Sequence, residues 1–238
     1  MRCHKVIERL VYDPWVRTGG SPAVILTKLF KFTNRSRLTR VNSRHPFHKY
    51  NLLDEVTTSF SFSRNSLIWL FARLQKSKPS SILEMGSGLS TVAHAIYSIQ
   101  SQKNVRISSI DHDQSWLEVT SGMLHNRNGF SDLVEFFHSP ITEGDFGDWG
   151  KGYSWPEKLK GPFDWLLIDG PPSRVGRAAT LPIAWPMLSQ GANIFLDDAE
   201  RPGEQDAIKK WSAFYGSSLS VKGILPLGKG LAWLTKNE

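Results

Sequence analysis

The sequence lacks the features that would tie it to an oxidising compartment or to a membrane. Cys3 is the only cysteine among 238 residues, so no disulfide can form within the chain. No apolar run approaches the roughly 20 residues that cross a bilayer, and the longest one near the start, 23–26, is too short for the core of a signal peptide. We therefore expect a cytoplasmic protein without a transmembrane segment.

Acidic residues are scarce at the start of the chain. Residues 1–60 hold eleven Lys and Arg against four Asp and Glu, which accounts for the whole net charge of +7. This region is either a basic extension that packs on the main domain or an arm that binds nucleic acid or another acidic partner. The basic residues are spread among Pro, Ser, Thr and apolar positions, which favours packing. We divide the chain into a basic N-terminal extension, 1–61, and a domain, 62–238.

From residue 62 onwards, apolar patterns typical of strands and helices alternate. The patterns predict helices at 64–76, from Ser90 onwards, at 115–127, at 174–188 and at 204–216. In the helix over 115–127, the predicted apolar side is Trp116, Val119, Met123 and Leu124. Strands are predicted at 81–85, 105–111, 133–139, 163–170 and 192–198, with a closing hairpin around 228–230. This alternation predicts a mostly parallel sheet with helices on both faces and an antiparallel hairpin at its edge.

Polar residues gather where the predicted strands end. In an open parallel sheet, ligands bind beyond the carboxyl ends of the strands. Four of the five predicted parallel strands end with carboxylates. The residues at these ends are Glu84 to Gly88, Asp111, Ser139, Asp169, and Asp197 with Asp198. We therefore expect the functional site at this edge of the sheet.

The first of these ends is a glycine loop that leads into a helix. Gly86 and Gly88 allow the backbone to turn sharply and to approach a ligand closely. Ser87, Ser90 and Thr91 add hydroxyl groups beside the free N–H groups of the helix start, which suits a carboxylate or a phosphate. Thr91 stands where a dinucleotide fingerprint requires a third glycine, and no Gly-Lys-Ser/Thr follows, so the loop does not favour NAD or ATP.

Two acids beside this loop favour a different ligand. Glu84, just before the loop, would repel a pyrophosphate and would suit a cationic centre. Asp111, at the end of the next strand, can accept hydrogen bonds from both ribose hydroxyls. A nucleoside that carries cationic groups and a carboxylate, as S-adenosylmethionine does, satisfies both conditions.

At these residues the chain resembles the class I S-adenosylmethionine-dependent methyltransferases. LEMGSG at 83–88 is similar to their first motif and SSIDHD at 108–113 to their second. The resemblance implies a Rossmann-like fold with a seven-stranded sheet. It also implies that Glu84 and the glycine loop surround the methionine part, that Asp111 binds the ribose, and that His112 and Ser139 border the adenine.

The acids that end the fourth and fifth predicted strands require compensating positive charge. Converging carboxylates repel each other unless positive charge lies between them. A hard divalent cation is one solution, and the cationic cofactor or nearby arginines are the other. The acids are Asp169, Asp197 and Asp198, and the arginines are Arg174, Arg177 and Arg201.

The spacing of these acids is also similar to that of metal-dependent catechol-type O-methyltransferases. That resemblance implies Asp169, Asp197 and Asp198 as Mg²⁺ ligands, with Asp169 also beside the cofactor. The chain departs from the family pattern at Asp198, where an Asn is usual, and at Pro172, where the catalytic Lys would stand. The base that deprotonates the acceptor is therefore open, and Asp198 and His112 are the candidates.

The sequence thus predicts a methyltransferase that modifies a hydroxyl of a small molecule or sugar, with or without Mg²⁺. Two alternatives remain. One is a nucleic-acid methyltransferase that uses the basic N-terminal arm. The other is a nucleoside-binding module without catalysis. Trp149, Tyr153 and Trp155, in the long segment after the third strand, form either a lid or acceptor wall, or part of the packed domain.

Overall fold

The computed structural model describes residues 45–52, 62–143 and 146–237. Its α-helices are α1 Pro46–Lys49, α2 Arg64–Ser77, α3 Leu89–Ser101, α4 Gln114–His125, α5 Thr180–Ala184 and α6 Pro202–Tyr215. Its strands are β1 Ser81–Met85, β2 Arg106–Asp111, β3 Val134–His138, β4 Ile141–Thr142, β5 Gly152–Tyr153, β6 Phe163–Ile168, β7 Leu188–Asp197, β8 Leu219–Leu225 and β9 Leu231–Lys236. Short 3₁₀ turns lie at Gly147–Trp149, Trp185–Met187 and Gly216–Ser218.

Seven strands form one sheet in the order β3-β2-β1-β6-β7-β9-β8. The first five in this order run parallel, and β9 pairs antiparallel with both β7 and β8. The predicted Rossmann-like methyltransferase fold is therefore confirmed, including the closing hairpin. None of the helices in the described ranges combines the length and apolar character needed to cross a membrane.

Both faces of the sheet are covered, because successive side chains of a strand point to opposite sides. In β1, Ile82 belongs to the apolar cluster with α2 and α3, whereas Leu83 belongs to the cluster with α5 and α6. Burial on both sides explains why β1 reads as a continuous apolar run. Glu84 follows in this strand, fully buried on the side of α3.

The N-terminal extension is described only at 45–52. There, Phe47 and Leu52 are fully buried and join the cluster that contains Phe71. Phe47 and Leu52, which belong to the predicted extension, therefore pack on the predicted domain. The other residues of the predicted extension lie outside the described residues, and the nucleic-acid arm stays a prediction.

The predicted apolar side of α4 is right at Met123 and Leu124, which pack on the core, and wrong at Trp116 and Val119. Leu117, Thr120 and Leu124 face the core, whereas Trp116 is 38% exposed and Val119 is 49% exposed. Both sets repeat at three and four residues, so both fit a helical period. The buried Thr120, a polar residue, concealed the true core side.

Other element boundaries also differ from the sequence predictions. α3 begins at Leu89 with Gly88 as its N-cap, so Ser90 lies within the first turn. Only Thr180–Ala184 is α-helical within the predicted 174–188, which reflects the prolines at positions 182 and 186. The segment after β3 contains the antiparallel pair β4 and β5 rather than an open loop.

Candidate functional site

A cavity of about 820 Å³ opens at the carboxyl ends of the parallel strands. The loops after β1, β2, β6 and β7 form its walls, and apolar side chains come from α4 and from Phe62, which precedes α2. The residues that line it are Phe62, Ser63, Gly86 to Ser90, Asp111 to Asp113, Trp116, Met123, Tyr153, Asp169, Gly170, Pro172 to Arg174, Arg177, Asp197, Asp198, Arg201, Gly228 and Lys229. Four of the five predicted strand ends, those of β1, β2, β6 and β7, therefore border one cavity.

The floor of this cavity is a contact between two glycines. Gly86 has a φ of +98°, and a Cβ on it would come within 2.5 Å of the Gly170 nitrogen. The Met85 carbonyl accepts hydrogen bonds from the N–H groups of Asp169 (2.8 Å) and Gly170 (2.7 Å). The loops after β1 and β6 are thus joined through their backbones, which leaves the space above them open for a ligand.

Glu84 lies beneath the glycine loop rather than in the cavity wall. Its carboxylate accepts hydrogen bonds from the hydroxyls of Thr91 and of Ser109, the latter at 2.9 Å. Burial raises the pKa of Glu84 to about 7, although the hydroxyls around it favour the charged form. Its Oε1 is 3.6 Å from Nδ1 of the buried His94, too far for a good hydrogen bond. The structure places Glu84 and Thr91 as supports of the loop.

Asp111 ends β2 and fixes the loop from the other side. Its Oδ2 accepts a hydrogen bond from the Ser87 N–H at 2.9 Å, and its Oδ1 accepts one from the Asp113 N–H at 3.0 Å. Nδ1 of His112 lies 2.9 Å from the same Oδ1. Asp111 and His112 both line the cavity, so the structure brings the predicted ribose and adenine residues together with the glycine loop.

Trp116 lines the cavity, although the helical pattern of the sequence predicts it on the core side of α4. Its indole Nε1 donates a hydrogen bond to the Ser87 carbonyl at 2.7 Å. Asp113 caps the helix by accepting from the N–H groups of Ser115 and Trp116. This cap sets where α4 begins and so turns Trp116 towards the loop. An Asp three residues before a Trp was the sequence signal that could have revealed this orientation.

Ser139 lies next to the cavity but does not line it. Its hydroxyl donates to the Ser154 carbonyl, and its N–H donates to the Asp111 carbonyl at 2.8 Å. Ser139 thus joins the β4–β5 hairpin to the end of β2. Within that hairpin, Tyr153 lines the cavity, whereas Trp149 and Trp155 line a separate aromatic depression beside Phe214.

The predicted acid cluster is present at the ends of β6 and β7. Asp169, Asp197 and Asp198 each offer a carboxylate oxygen, and the three oxygens lie within 4.8 Å of one another. Asp198 has a φ of +57°, which is uncommon for a residue other than glycine. Asp198 is the first residue after β7, so the chain leaves the strand in this left-handed conformation.

Arg177 supplies positive charge to this cluster. The side chain is 4% exposed, and Nη2 lies 3.4 Å from a carboxylate oxygen of both Asp169 and Asp198. The guanidinium also donates to the carbonyls of Pro171 (3.0 Å), Asp197 (2.9 Å) and Asp169. Of the three arginines considered from the sequence, Arg177 therefore has the most extensive contacts with the acids.

Despite Arg177, burial has the largest effect on the pKa values of Asp169 and Asp197. It raises the pKa of Asp169 to about 6, opposed chiefly by Arg177. It raises the pKa of Asp197 well above the usual range, with Asp169 and Asp198 adding to the effect. Arg201 lies 2.8 Å from Asp198 and lowers the negative charge at the mouth of the cluster.

The chemistry of this donor set fits Mg²⁺. Three carboxylates at close range are the oxygen ligands that a hard divalent cation prefers. Arg177 and Arg201 contact Asp198 as well, so the protein itself already compensates part of the negative charge. Both solutions considered from the sequence, a metal ion and nearby arginines, are therefore compatible with the geometry.

Comparison with known proteins identifies the class of domain. Residues 83–199, which run from β1 to just beyond the acid cluster, match a family model described as "Methyltransferase domain". The matched residues are those of a methyltransferase domain, and the sheet that they help to form has the class I methyltransferase fold. The predicted class of enzyme, an S-adenosylmethionine-dependent methyltransferase, is confirmed. No curated protein sequence matches the chain.

Solved structures of methyltransferases share the fold at low sequence identity. PaMTH1 of Podospora anserina, solved with SAH (S-adenosylhomocysteine), is 17% identical over 91% of this chain and 96% of its own, with a TM-score of 0.61. An O-methyltransferase of Bacillus cereus in complex with SAH is 14% identical over 90% and 97%, with a TM-score of 0.58. TomG of Streptomyces achromogenes, an O-methyltransferase of tomaymycin synthesis in complex with S-adenosylmethionine, is 15% identical over 90% and 96%, with a TM-score of 0.56.

Proposed function

We propose that this methyltransferase domain transfers the methyl group of S-adenosylmethionine to a hydroxyl of a small molecule or sugar. The observation that supports this most is the composition of one cavity. Its lining contains Asp111 and the glycine loop together with three carboxylates and Arg177. The O-methyltransferases of similar fold were solved with S-adenosylmethionine or SAH, and this agrees with the proposal.

In the proposed complex, the nucleoside lies over the backbone contact between Gly86 and Gly170. Asp111 accepts hydrogen bonds from the ribose hydroxyls, and the side chain of His112 borders the adenine. The loop from Ser87 to Ser90 surrounds the methionine carboxylate, because N–H groups and hydroxyls at a helix start bind anions. Trp116 and Met123 cover this half of the cavity from the side of α4.

The acceptor binds at the end formed by Asp169, Asp197 and Asp198. Methyl transfer is an in-line displacement, and a hydroxyl is a poor nucleophile until it loses its proton. Asp198 is the better placed of the two candidate bases, since it lies in this acid cluster. His112 lies at the nucleoside end, where its ring contacts Asp111. Arg177 holds Asp169 and Asp198 in position.

Asp169, Asp197 and Asp198 would also hold Mg²⁺ in a metal-assisted form of this reaction. Such an ion would lower the pKa of an acceptor hydroxyl bound to it, and Asp198 would then serve as a ligand rather than as the base.

Two measurements test the proposal. Calorimetry should show that the purified full chain binds S-adenosylmethionine and SAH. Transfer of radiolabelled methyl from S-adenosylmethionine to a panel of phenols, catechols and sugars, with MgCl₂ or with EDTA, should then identify the acceptor class and any metal requirement. Absence of binding to both nucleosides would refute the proposal.

Substitutions can distinguish residues that act on the acceptor from residues that bind the cofactor. Asp169→Ala should abolish methyl transfer and leave SAH affinity within a few-fold of the unmodified chain. Asp132→Ala, at an exposed position on the surface, is the matched control for the loss of one carboxylate. Full activity of Asp169→Ala would contradict a role for this residue at the acceptor end.

A further inference from the structure

We propose that the hydroxyl of Tyr153 donates a hydrogen bond to the nucleoside half of the bound cofactor. This inference rests on the proposed function and adds to it a recognition residue outside the two methyltransferase motifs. Tyr153 belongs to the short hairpin after β3, and from the sequence it was predicted to be part of a lid or acceptor wall, or of the packed domain.

The starting observation is a buried hydroxyl without a partner. Tyr153 is fully buried, and within 45–52, 62–143 and 146–237 no residue forms a hydrogen bond with its Oη. The same side chain lines the main cavity. Buried polar groups in proteins are nearly always paired, so an unpaired one beside a cavity indicates a ligand that completes it.

The position of this hydroxyl is fixed by backbone contacts. Oη lies so close to Gly170 that a Cβ at that position would collide with it. Gly170 in turn contacts Gly86, at the floor of the cavity. The phenol ring meets the ring of His112 edge-on, with 6.4 Å between the centroids. The hydroxyl therefore lies where the loops after β1, β2 and β6 converge.

This convergence is the place proposed for the nucleoside. Asp111, the proposed ribose ligand, immediately precedes His112, and Ser139 fastens the hairpin of Tyr153 to the end of β2. The adenine ring nitrogens and the ribose oxygens can accept a hydrogen bond from a phenol. Burial, together with the Asp111 carboxylate, raises the pKa of Tyr153 well above its usual range, so the hydroxyl stays a donor.

Tyr153→Phe tests the inference, because it removes the hydroxyl and keeps the ring. Calorimetric titration with SAH, and with adenosine as a probe of the nucleoside half, should show both affinities reduced by about three- to tenfold, as for the loss of one neutral hydrogen bond. The melting temperature of the ligand-free variant should equal or exceed that of the unmodified chain, since an unpaired buried hydroxyl has been removed.

Tyr215→Phe is the matched control, because Tyr215 stacks on Trp185 with 3.9 Å between the ring centroids and does not line the cavity. Its affinities should not change. Unchanged SAH affinity in Tyr153→Phe would overturn the inference, and so would weaker SAH binding with unchanged adenosine binding. If the unmodified chain binds SAH but Tyr153→Phe binds it equally well, only the inference fails. If the unmodified chain binds no nucleoside, the proposed function fails with it.

Discussion

Glu84→Gln should change how the stability of the domain depends on pH. Glu84 is fully buried under the glycine loop, and burial raises its pKa from 4.5 to about 7. A carboxyl group whose pKa is raised on folding binds protons more tightly in the folded state. Its stabilising contribution is therefore complete below about pH 4.5 and declines as the pH rises through about 7.

The size of the effect follows from the shift. Each unit of pKa corresponds to about 1.4 kcal/mol, so the complete change in the free energy of unfolding is about 3 kcal/mol. Most of it, about 2.5 kcal/mol, falls between about pH 5 and pH 8. Glutamine has nearly the same shape and can still accept hydrogen bonds from Thr91 and Ser109, but it does not ionise. The variant should therefore gain stability relative to the unmodified chain as the pH rises.

Urea unfolding at several pH values measures this difference. Subtracting the free energy of unfolding of the unmodified chain from that of Glu84→Gln cancels the contributions of the other titrating groups. Glu157→Gln, at an exposed position, controls for the loss of one carboxylate and should show no such trend. A difference between Glu84→Gln and the unmodified chain that is independent of pH would refute the reasoning.

Four further substitutions have expected outcomes. Gly86→Ala should lower the free energy of unfolding by about 2 kcal/mol or more in urea, because the new Cβ meets the backbone of the neighbouring loop in a left-handed conformation. Asp111→Asn should weaken SAH binding by about tenfold or more in calorimetry, since a charged acceptor is lost. Trp116→Phe should weaken SAH binding by about threefold, because the loop loses one hydrogen bond; equal affinity would contradict its role. Arg177→Met should lower the free energy of unfolding by about 3–5 kcal/mol, because buried carboxylates lose their cation; an unchanged urea midpoint would contradict this.

The fold and the outline of the site could be predicted because their signals are local. A buried strand followed by Gly86 and Gly88 specifies a turn into a helix whatever the rest of the chain does. Because carboxyl ends of parallel strands meet at one edge, the position of Asp111 and of the acid cluster followed from the strand order. The structure agrees with both.

The remaining features depend on tertiary contacts that a sequence does not display. In α4, the side with Trp116 and the side with Leu117 both have helical spacing, and only tertiary packing shows that Leu117 and Thr120 are the buried ones. Nothing in the sequence singles out Tyr153 from its aromatic neighbours, because a two-residue strand turns it inwards. The carboxylate of Glu84 faces a helix rather than the cavity because the side chains of β1 alternate between the two faces of the sheet.

Arg177 holds the carbonyl groups of Asp169, Pro171 and Asp197 with one rigid, planar group. The spacing between the ends of β6 and β7 is therefore fixed by the Arg177 guanidinium and three main-chain carbonyls. Arg174, an exposed residue that lines the cavity, takes no part in this brace, whereas Lys229 lies 4.0 Å from the carboxylate of Asp198. If the proposed function holds, substitutions at Arg174 should therefore change which acceptors are methylated while the spacing of the two strand ends is kept.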